Sequence, residues 1–267
     1  GRFKEKGSGA NLSASALMDY CACPMKFYYK DVVGLSDETP VSSEIDSITQ
    51  GNIVHRTMLN LYIPEEKRNK YLKSTERVVL KESDFESMLN DPNMISDELR
   101  RSVNIEHFRL SGKDINRPLS GKTKMVADRL CRQVQEVVRY DMAHSPVELV
   151  GCEIKGITRW KVEVPEGEES YVDEVNLRYA LDRVDIVDGV IRVVDYKTGN
   201  ADVEAGRGLV DVFNGSGKSK YLLQLLIYAH LLEGLMQKNG ESVVDRDISM
   251  KIYDVHTIAA DGPITPT

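Results

Sequence analysis

Ile191-Arg192-Val193-Val194-Asp195-Tyr196-Lys197-Thr198-Gly199 decides the fold. Apolar residues lead into an acid, and a lysine stands two positions on. The stretch reads as a strand. Side chains at i and i+2 share one strand face, so Asp195 and Lys197 point to the same side near its end. Just upstream, Tyr179-Ala180-Leu181-Asp182-Arg183-Val184-Asp185 reads as a second strand, and Asp188-Gly189 is a strong hairpin turn. Pairing across that turn brings Asp182 towards Asp195, with the register left open. Two carboxylates converging on one point repel unless a cation lies between them. Oxygen ligands of this kind favour Mg²⁺ or Mn²⁺. An ammonium beside them suits metal-assisted hydrolysis, where it orients a water or offsets charge on a phosphate. The competing reading is an exposed Asp-Lys pair on an edge strand. Asp185 alternates less well and reads as a surface acid or an Arg183 partner.

Outward from this hairpin the pattern changes on both sides. Residues 147–158, 159–164, 170–182, 183–187 and 190–196 read as strands or strand pieces. Before them the period is helical. A helix starts near Leu12, with Ser13 as its cap and Leu12 against Leu17 as a staple. Another spans 49–62, with Ile53, Val54, Met58 and Leu61 on one face. A longer one spans 120–143, with Val126, Leu130, Val134, Val137 and Val138 as its buried stripe, and Pro146 marks its end. After the hairpin come a Gly- and Ser-rich loop at 206–220, a helix over 221–238 and a strand over 248–255. Residues 1–11 read as a disordered lead, 36–47 as a loop, and 63–119 as a helical insertion. The fold class is therefore α/β, with a mixed β-sheet core flanked by helices and a helical N-terminal half.

At 267 residues, 41% hydrophobic and 29% charged, the chain is long enough to bury a core without disulfides. No apolar run is long enough to span a membrane, and no basic-then-apolar signal segment opens the chain. It begins with Gly1 and not Met, which points to a cleaved tag or a piece of a longer protein. Cys21, Cys23, Cys131 and Cys152 form no C-x-x-C pair and read as reduced thiols in a cytosolic protein. The net charge of −7 argues against a sequence-independent polyanion binder. Residues 100–139, however, hold ten Lys or Arg against four Asp or Glu, a local +6 that leaves −13 for the rest. Such an arm either places a nucleic acid beside an acidic site or is a solvated helix face.

Asp182 with Asp195-Tyr196-Lys197 resembles the D…(D/E)-x-K core of the PD-(D/E)XK nuclease superfamily. The surrounding words are similar to its RecB-like branch, found in helicase–nucleases of bacterial recombination. Ser13-Ala14-Ser15-Ala16-Leu17, then Cys23-Pro24 with Phe27, match its opening words. Gly51-Asn52-Ile53-Val54-His55 matches G-x-x-x-H, and Asp182-Arg183-Val184-Asp185 matches D-R-x-D. Asp195 to Gly199 matches D-Y-K-T-G, and Gln224-Leu225-Leu226-Ile227-Tyr228 matches Q-x-x-x-Y. Each word is weak, and the ordered set over residues 12–228 is specific.

The resemblance implies a restriction-endonuclease-like fold across residues 1–267 as one nuclease domain. It implies a Mg²⁺- or Mn²⁺-dependent DNA nuclease, an exonuclease working with a helicase in DNA repair and recombination, in a bacterial cytoplasm. His55, Asp182, Asp195 and the Tyr196 carbonyl then hold the metal. Lys197 orients the water, Gln224 and Tyr228 position the strand, and Glu153 supports the metal or Lys197. Gly51 and His55 share a helix face, as do Gln224 and Tyr228. Close backbone approach at Gly51 would let His55 reach the ion. Lys155 and Arg159 read as surface residues. Relatives of the AddB kind bind an iron–sulfur cluster through the cysteine of the C-P word and three near the C-terminus. Only Cys23 of that set is present, so no such cluster is expected and Cys23 reads as a small packed hydrophobe. Gly215-Ser216-Gly217-Lys218-Ser219 imitates a phosphate loop, but Val212 stands where its first Gly belongs. That segment reads as a mobile loop whose Lys218 and Lys220 touch DNA phosphate. The alternative is a non-catalytic DNA-end-binding or scaffolding module on the same fold. An unrelated hydrolase of small phosphate esters is a third.

Overall fold

Five strands make one sheet in the order β1 (Val78–Leu80), β2 (Val147–Glu166), β3 (Glu169–Val187), β4 (Val190–Lys197) and β5 (Ile248–Asp254). The computed structural model describes residues 3, 11–35, 44–166, 169–199, 220–241 and 247–265. β1 pairs with β2, and β3 with β4, antiparallel; β5 runs parallel to β4. At the β3–β4 turn Asp188 and Gly189 have φ of 51° and 79°. A two-residue turn that follows the strand twist requires that left-handed geometry. A parallel pair needs a long crossover, and helix α7 (Lys220–Lys238) lies between β4 and β5 in the chain. β4 is buried along residues 191–196, as a central strand covered on both faces must be. This is the mixed α/β architecture that the sequence predicts. The strand pieces read separately over 147–164 and 170–187 are two continuous strands.

The chain divides into two compact units. The first holds residues 1–38, 155–180 and 203–231; the second holds 39–154, 181–202 and 232–267. In the first, Ser13 Oγ accepts the Ala16 N–H at 3.1 Å and caps α1 (Ala14–Ala22), as expected. Leu12 bridges Leu177 beside β3. Arg159 bonds Glu174 and Asn176 and so is tied down between neighbouring strands. After α2 (Pro24–Phe27) a π-helical turn runs from Tyr28 to Val33. Cys23 is exposed and not packed. Its extended backbone joins α1 to α2 at a kink, with Pro24 starting the new helix, and this turns the thiol outward.

The second unit packs helices on the sheet. α3 (Ser47–Tyr62) starts on Asp46, whose Oδ1 accepts the Thr49 N–H at 2.8 Å. Its stripe of Ile53, Val54 and Met58 is buried, while Leu61 only borders the core. α6 (Gly121–Ala143) buries Leu130, Val134, Val137 and Val138 completely. α4 (Glu82–Asn90), α5 (Met94–Glu106) and α8 (Ile258–Asp261) complete it. The segment 63–119 is thus mostly helical, but it also supplies β1. Three residues flanked by charges carry no period of their own, and they become a strand because Val78 pairs with Leu149 of β2. The basic arm is largely neutralised: Arg100, Arg101, Arg109, Lys122, Lys124 and Arg139 each pair with a carboxylate. The expected loop at 206–219, with Lys218 and the phosphate-loop imitation, the Lys220 side chain, and most of the 1–11 and 36–47 segments lie outside the described residues. Among the described residues no helix is long and apolar enough to cross a membrane.

One charged cluster sits inside this core. Alternation along β3 turns Arg183 and Asp185 away from the face of Asp182. Arg183 is fully buried, so Asp185 is its partner and not a surface acid. Its guanidinium donates to Asp141 Oδ2 of α6 and to Asp185 Oδ2, each at 2.5 Å, and its carbon lies 5.2 and 5.4 Å from the Tyr62 and Tyr253 ring centres. Arg192 Nε donates to Asp185 Oδ1 at 2.6 Å. Tyr62 and Tyr253 hydroxyls donate to Asp141 at 2.7 and 3.0 Å. Two cations and two anions cancel, which is the condition for burying any of them. Burial pushes the Asp141 carboxyl up, but Arg183 outweighs it and holds the pKa below the ordinary value. Asp141→Ala leaves Arg183 without its main counter-charge and should cost about 3–5 kcal/mol in urea unfolding. A loss under 1 kcal/mol would show that the cluster does not brace the core.

Candidate metal centre

Four groups of the second unit converge on one point. His55 projects from the middle of α3, Glu153 from β2, Asp182 from β3, and the Tyr196 backbone from β4. His55 Nδ1 lies 3.0 Å from Glu153 Oε1. Its Nε2 lies 3.5 Å from Asp182 Oδ2 and 3.4 Å from the Tyr196 carbonyl oxygen. The Tyr196 N–H donates to Asp182 Oδ2 at 3.0 Å. One ligand atom from each of His55, Glu153 and Asp182 falls within 4.8 Å of the others.

Local structure explains each placement. In β4, alternation sets Asp195 and Lys197 on one face, where Lys197 Nζ bonds Asp195 Oδ2 at 2.6 Å. The β3–β4 register pairs Arg183 with Val194. One step further along, Asp182 stands opposite Asp195, and facing residues of neighbouring strands share a face. Glu153 breaks alternation: its φ is 52°, in the left-handed region. For a residue with a Cβ that conformation is strained by about 1–2 kcal/mol, and such strain collects where a side chain must be aimed. Gly151 two residues before is needed for packing, since a Cβ there would come within 2.6 Å of the Lys70 carbonyl. Gly51 is different. Among the described residues a Cβ there would meet only Thr198 Oγ1, at an ordinary 3.7 Å, so the expected close approach at Gly51 is not seen among them.

Charge makes the cluster a cation trap. Burial opposes the imidazolium of His55, but Asp182 and Glu153, with Asp195, outweigh it and raise its pKa to about 9. Burial also raises Asp182 to about 7; the His55 cation opposes that rise, and Asp195 and Glu153 add to it. A proton on the imidazole thus does part of the work of a counter-ion. The donor set is one nitrogen and several oxygens, which fits Mg²⁺ or Mn²⁺. Ligands about 2.1 Å from such an ion sit about 3.0 Å apart at neighbouring vertices of an octahedron. The 3.4 and 3.5 Å spacings around Nε2 are close to that edge. With Nε2 facing these oxygens, Nδ1 is left to Glu153, the carboxylate–histidine arrangement that orients metal-binding imidazoles.

Gln224 and Tyr228 belong to the first unit. On α7 they are one turn apart, and Gln224 Nε2 donates to the Tyr228 hydroxyl at 3.1 Å. Both line a cavity of about 610 Å³ in that unit, with Ser13, Ser15, Lys155 and Arg178. Lys155 is exposed, as expected of a surface residue, and also lines this cavity, while Arg178 is a lining residue that sequence reasoning missed. Its position four residues before Asp182 in β3 was the available signal.

A family profile described as the PD-(D/E)XK nuclease superfamily matches residues 11–264. No curated protein matches the chain.

Metal-free protein gives a direct test of the electrostatics. In EDTA, the His55 ring resonances should titrate near pH 9, and the midpoint should fall towards the ordinary 6.5 in Glu153→Gln. The sign for stability follows. A raised histidine pKa stabilises fully below about 6.5, and that contribution is lost as pH rises through about 9. Wild type should therefore lose its advantage in melting temperature over Glu153→Gln across that window. Identical midpoints in the two proteins would separate Glu153 from the cluster.

Proposed function

Because the chain belongs to the PD-(D/E)XK nuclease superfamily, we propose that it is a Mg²⁺- or Mn²⁺-dependent deoxyribonuclease of the RecB-like kind. It hydrolyses DNA phosphodiester bonds as an exonuclease, the chain working as one nuclease domain. The observation that carries this reading is the His55, Glu153 and Asp182 cluster beside the Asp195–Lys197 pair. A structural ion pair has no need of a strained Glu153 or of a histidine between two carboxylates.

In this reading His55 through Nε2, Asp182, Asp195 and the Tyr196 carbonyl hold the ion, and Glu153 keeps the imidazole turned through Nδ1. The ion supplies an acidified water and positive charge opposite the phosphate. Lys197 orients that water and offsets charge developing on the phosphate oxygens. Gln224 and Tyr228 position the strand by bonding its phosphate oxygens or base edges; phosphate contacts would do so without reading sequence. No covalent intermediate forms, because among the described residues no nucleophilic side chain joins the cluster. A helicase acting beside this chain supplies the DNA ends in repair and recombination.

End-labelled linear and closed circular DNA, each with Mg²⁺, Mn²⁺ or EDTA, test the proposal. Linear DNA should lose label with either metal and keep it in EDTA, while circles persist. Cut circles would replace exonuclease by endonuclease. Intact DNA under all conditions, with DNA still bound, would replace the enzyme by a binding module. Lys197→Ala should cleave about 10²- to 10³-fold more slowly. Its affinities for DNA and Mn²⁺ should stay near wild type, because DNA binding draws on contacts spread along the backbone.

A further inference from the structure

Among the described residues, Tyr196 is the one member of the metal cluster that also belongs to the buried Arg183 cluster. Its backbone serves the first: the N–H donates to Asp182 Oδ2 at 3.0 Å, and the carbonyl oxygen lies 3.4 Å from His55 Nε2. Its side chain serves the second: the hydroxyl accepts from Arg183 Nη1 at 3.1 Å. The ring also packs edge-on against those of His55 and Tyr253, at 5.8 and 5.9 Å. In an extended strand the side chain leaves through a face while the N–H and C=O point sideways, so one residue can serve both clusters.

Arg183 is itself held hard. Its Nε, Nη1 and Nη2 all donate to carboxylates of Asp141 and Asp185, and the Tyr62 and Tyr253 rings pack against it. A planar guanidinium fixed at three nitrogens has little freedom left. We propose that Tyr196 is a positioning residue: its phenol, anchored on Arg183, fixes the height and rotation of the β4 peptide that sets Asp182 and His55. This rests on reading the cluster as a metal centre. It adds that metal affinity is set partly from the far face of the sheet.

Three tyrosines give a controlled comparison. Tyr62, Tyr196 and Tyr253 each place one hydroxyl in the buried cluster, and only Tyr196 has its backbone at the metal centre. Phe at each position removes one hydroxyl and keeps ring and backbone. All three variants should melt at lower temperature. Tyr196→Phe alone should weaken Mn²⁺ binding by about 10-fold, in the range usual for groups that orient metal ligands. It should lower kcat on DNA with KM little changed, while Tyr62→Phe and Tyr253→Phe stay within about twofold of wild type. In EDTA, the ring ¹⁵N shifts of His55 should move in Tyr196→Phe and not in the other two. Fluorotyrosine at 196, which weakens the acceptor and keeps the shape, should give the same pattern more mildly. Equal changes in all three variants, or none at His55 in Tyr196→Phe, would overturn the proposal. If wild type binds no Mn²⁺ and cuts no DNA, the nuclease reading fails, and the His55 shifts still decide whether Tyr196 positions the cluster.

Discussion

The buried Arg183 guanidinium is the constraint on which the second unit depends. It joins β3 to α6 through Asp141, to its own strand through Asp185, and to β4 through the Tyr196 hydroxyl. A charge at that depth is tolerable only with its partners in place, so the helix and both strands must arrive together. Hydrophobic packing around it is permissive by comparison. Leu130, Val134 and Val137 of α6 could slide against apolar neighbours, whereas a guanidinium with three committed nitrogens fixes one register. The metal cluster is built on the other face of the strands so fixed.

The two faces of the β3–β4 hairpin therefore do opposite things. On one, cations and anions balance and are sealed by tyrosine rings. On the other, the carboxylates of Glu153, Asp182 and Asp195 outnumber the cations, and a proton on His55 makes up part of the deficit. The first arrangement is stable as it stands, and the second gains from binding a cation. Glu153 shows how much aiming the second needs, since β2 leaves extended geometry at that residue to turn its carboxylate onto the imidazole.

The Asp195–Lys197 face, the Asp188-Gly189 turn and the stripes of α3 and α6 were legible because each follows from a short-range period. Ser13 as a cap was legible for the same reason. β1 was not, because three residues have no period and only the exposed edge of β2 makes them a strand. Asp185 was legible only as a choice between a surface acid and an Arg183 partner, of which the structure keeps the second, and the exposure of Cys23 was not legible at all. An acid reads as surface unless a buried cation is known to face it. A cysteine reads as packed unless a kink between two helices is known to turn it out.

The sequence by itself determined the mixed sheet, the hairpin that carries Asp182 and Asp195, and, through an ordered set of words, the superfamily. Those rest on residue type and local spacing, which the chain displays directly. Only the tertiary structure decided which His55 nitrogen faces which partner, that Glu153 lies in the left-handed region, and that Tyr196 links two clusters. These depend on residues as far apart as 55, 141, 153 and 196, whose distances are set by packing of whole elements. No local period encodes them, because the same local spacings are compatible with several registers until the buried charges select one.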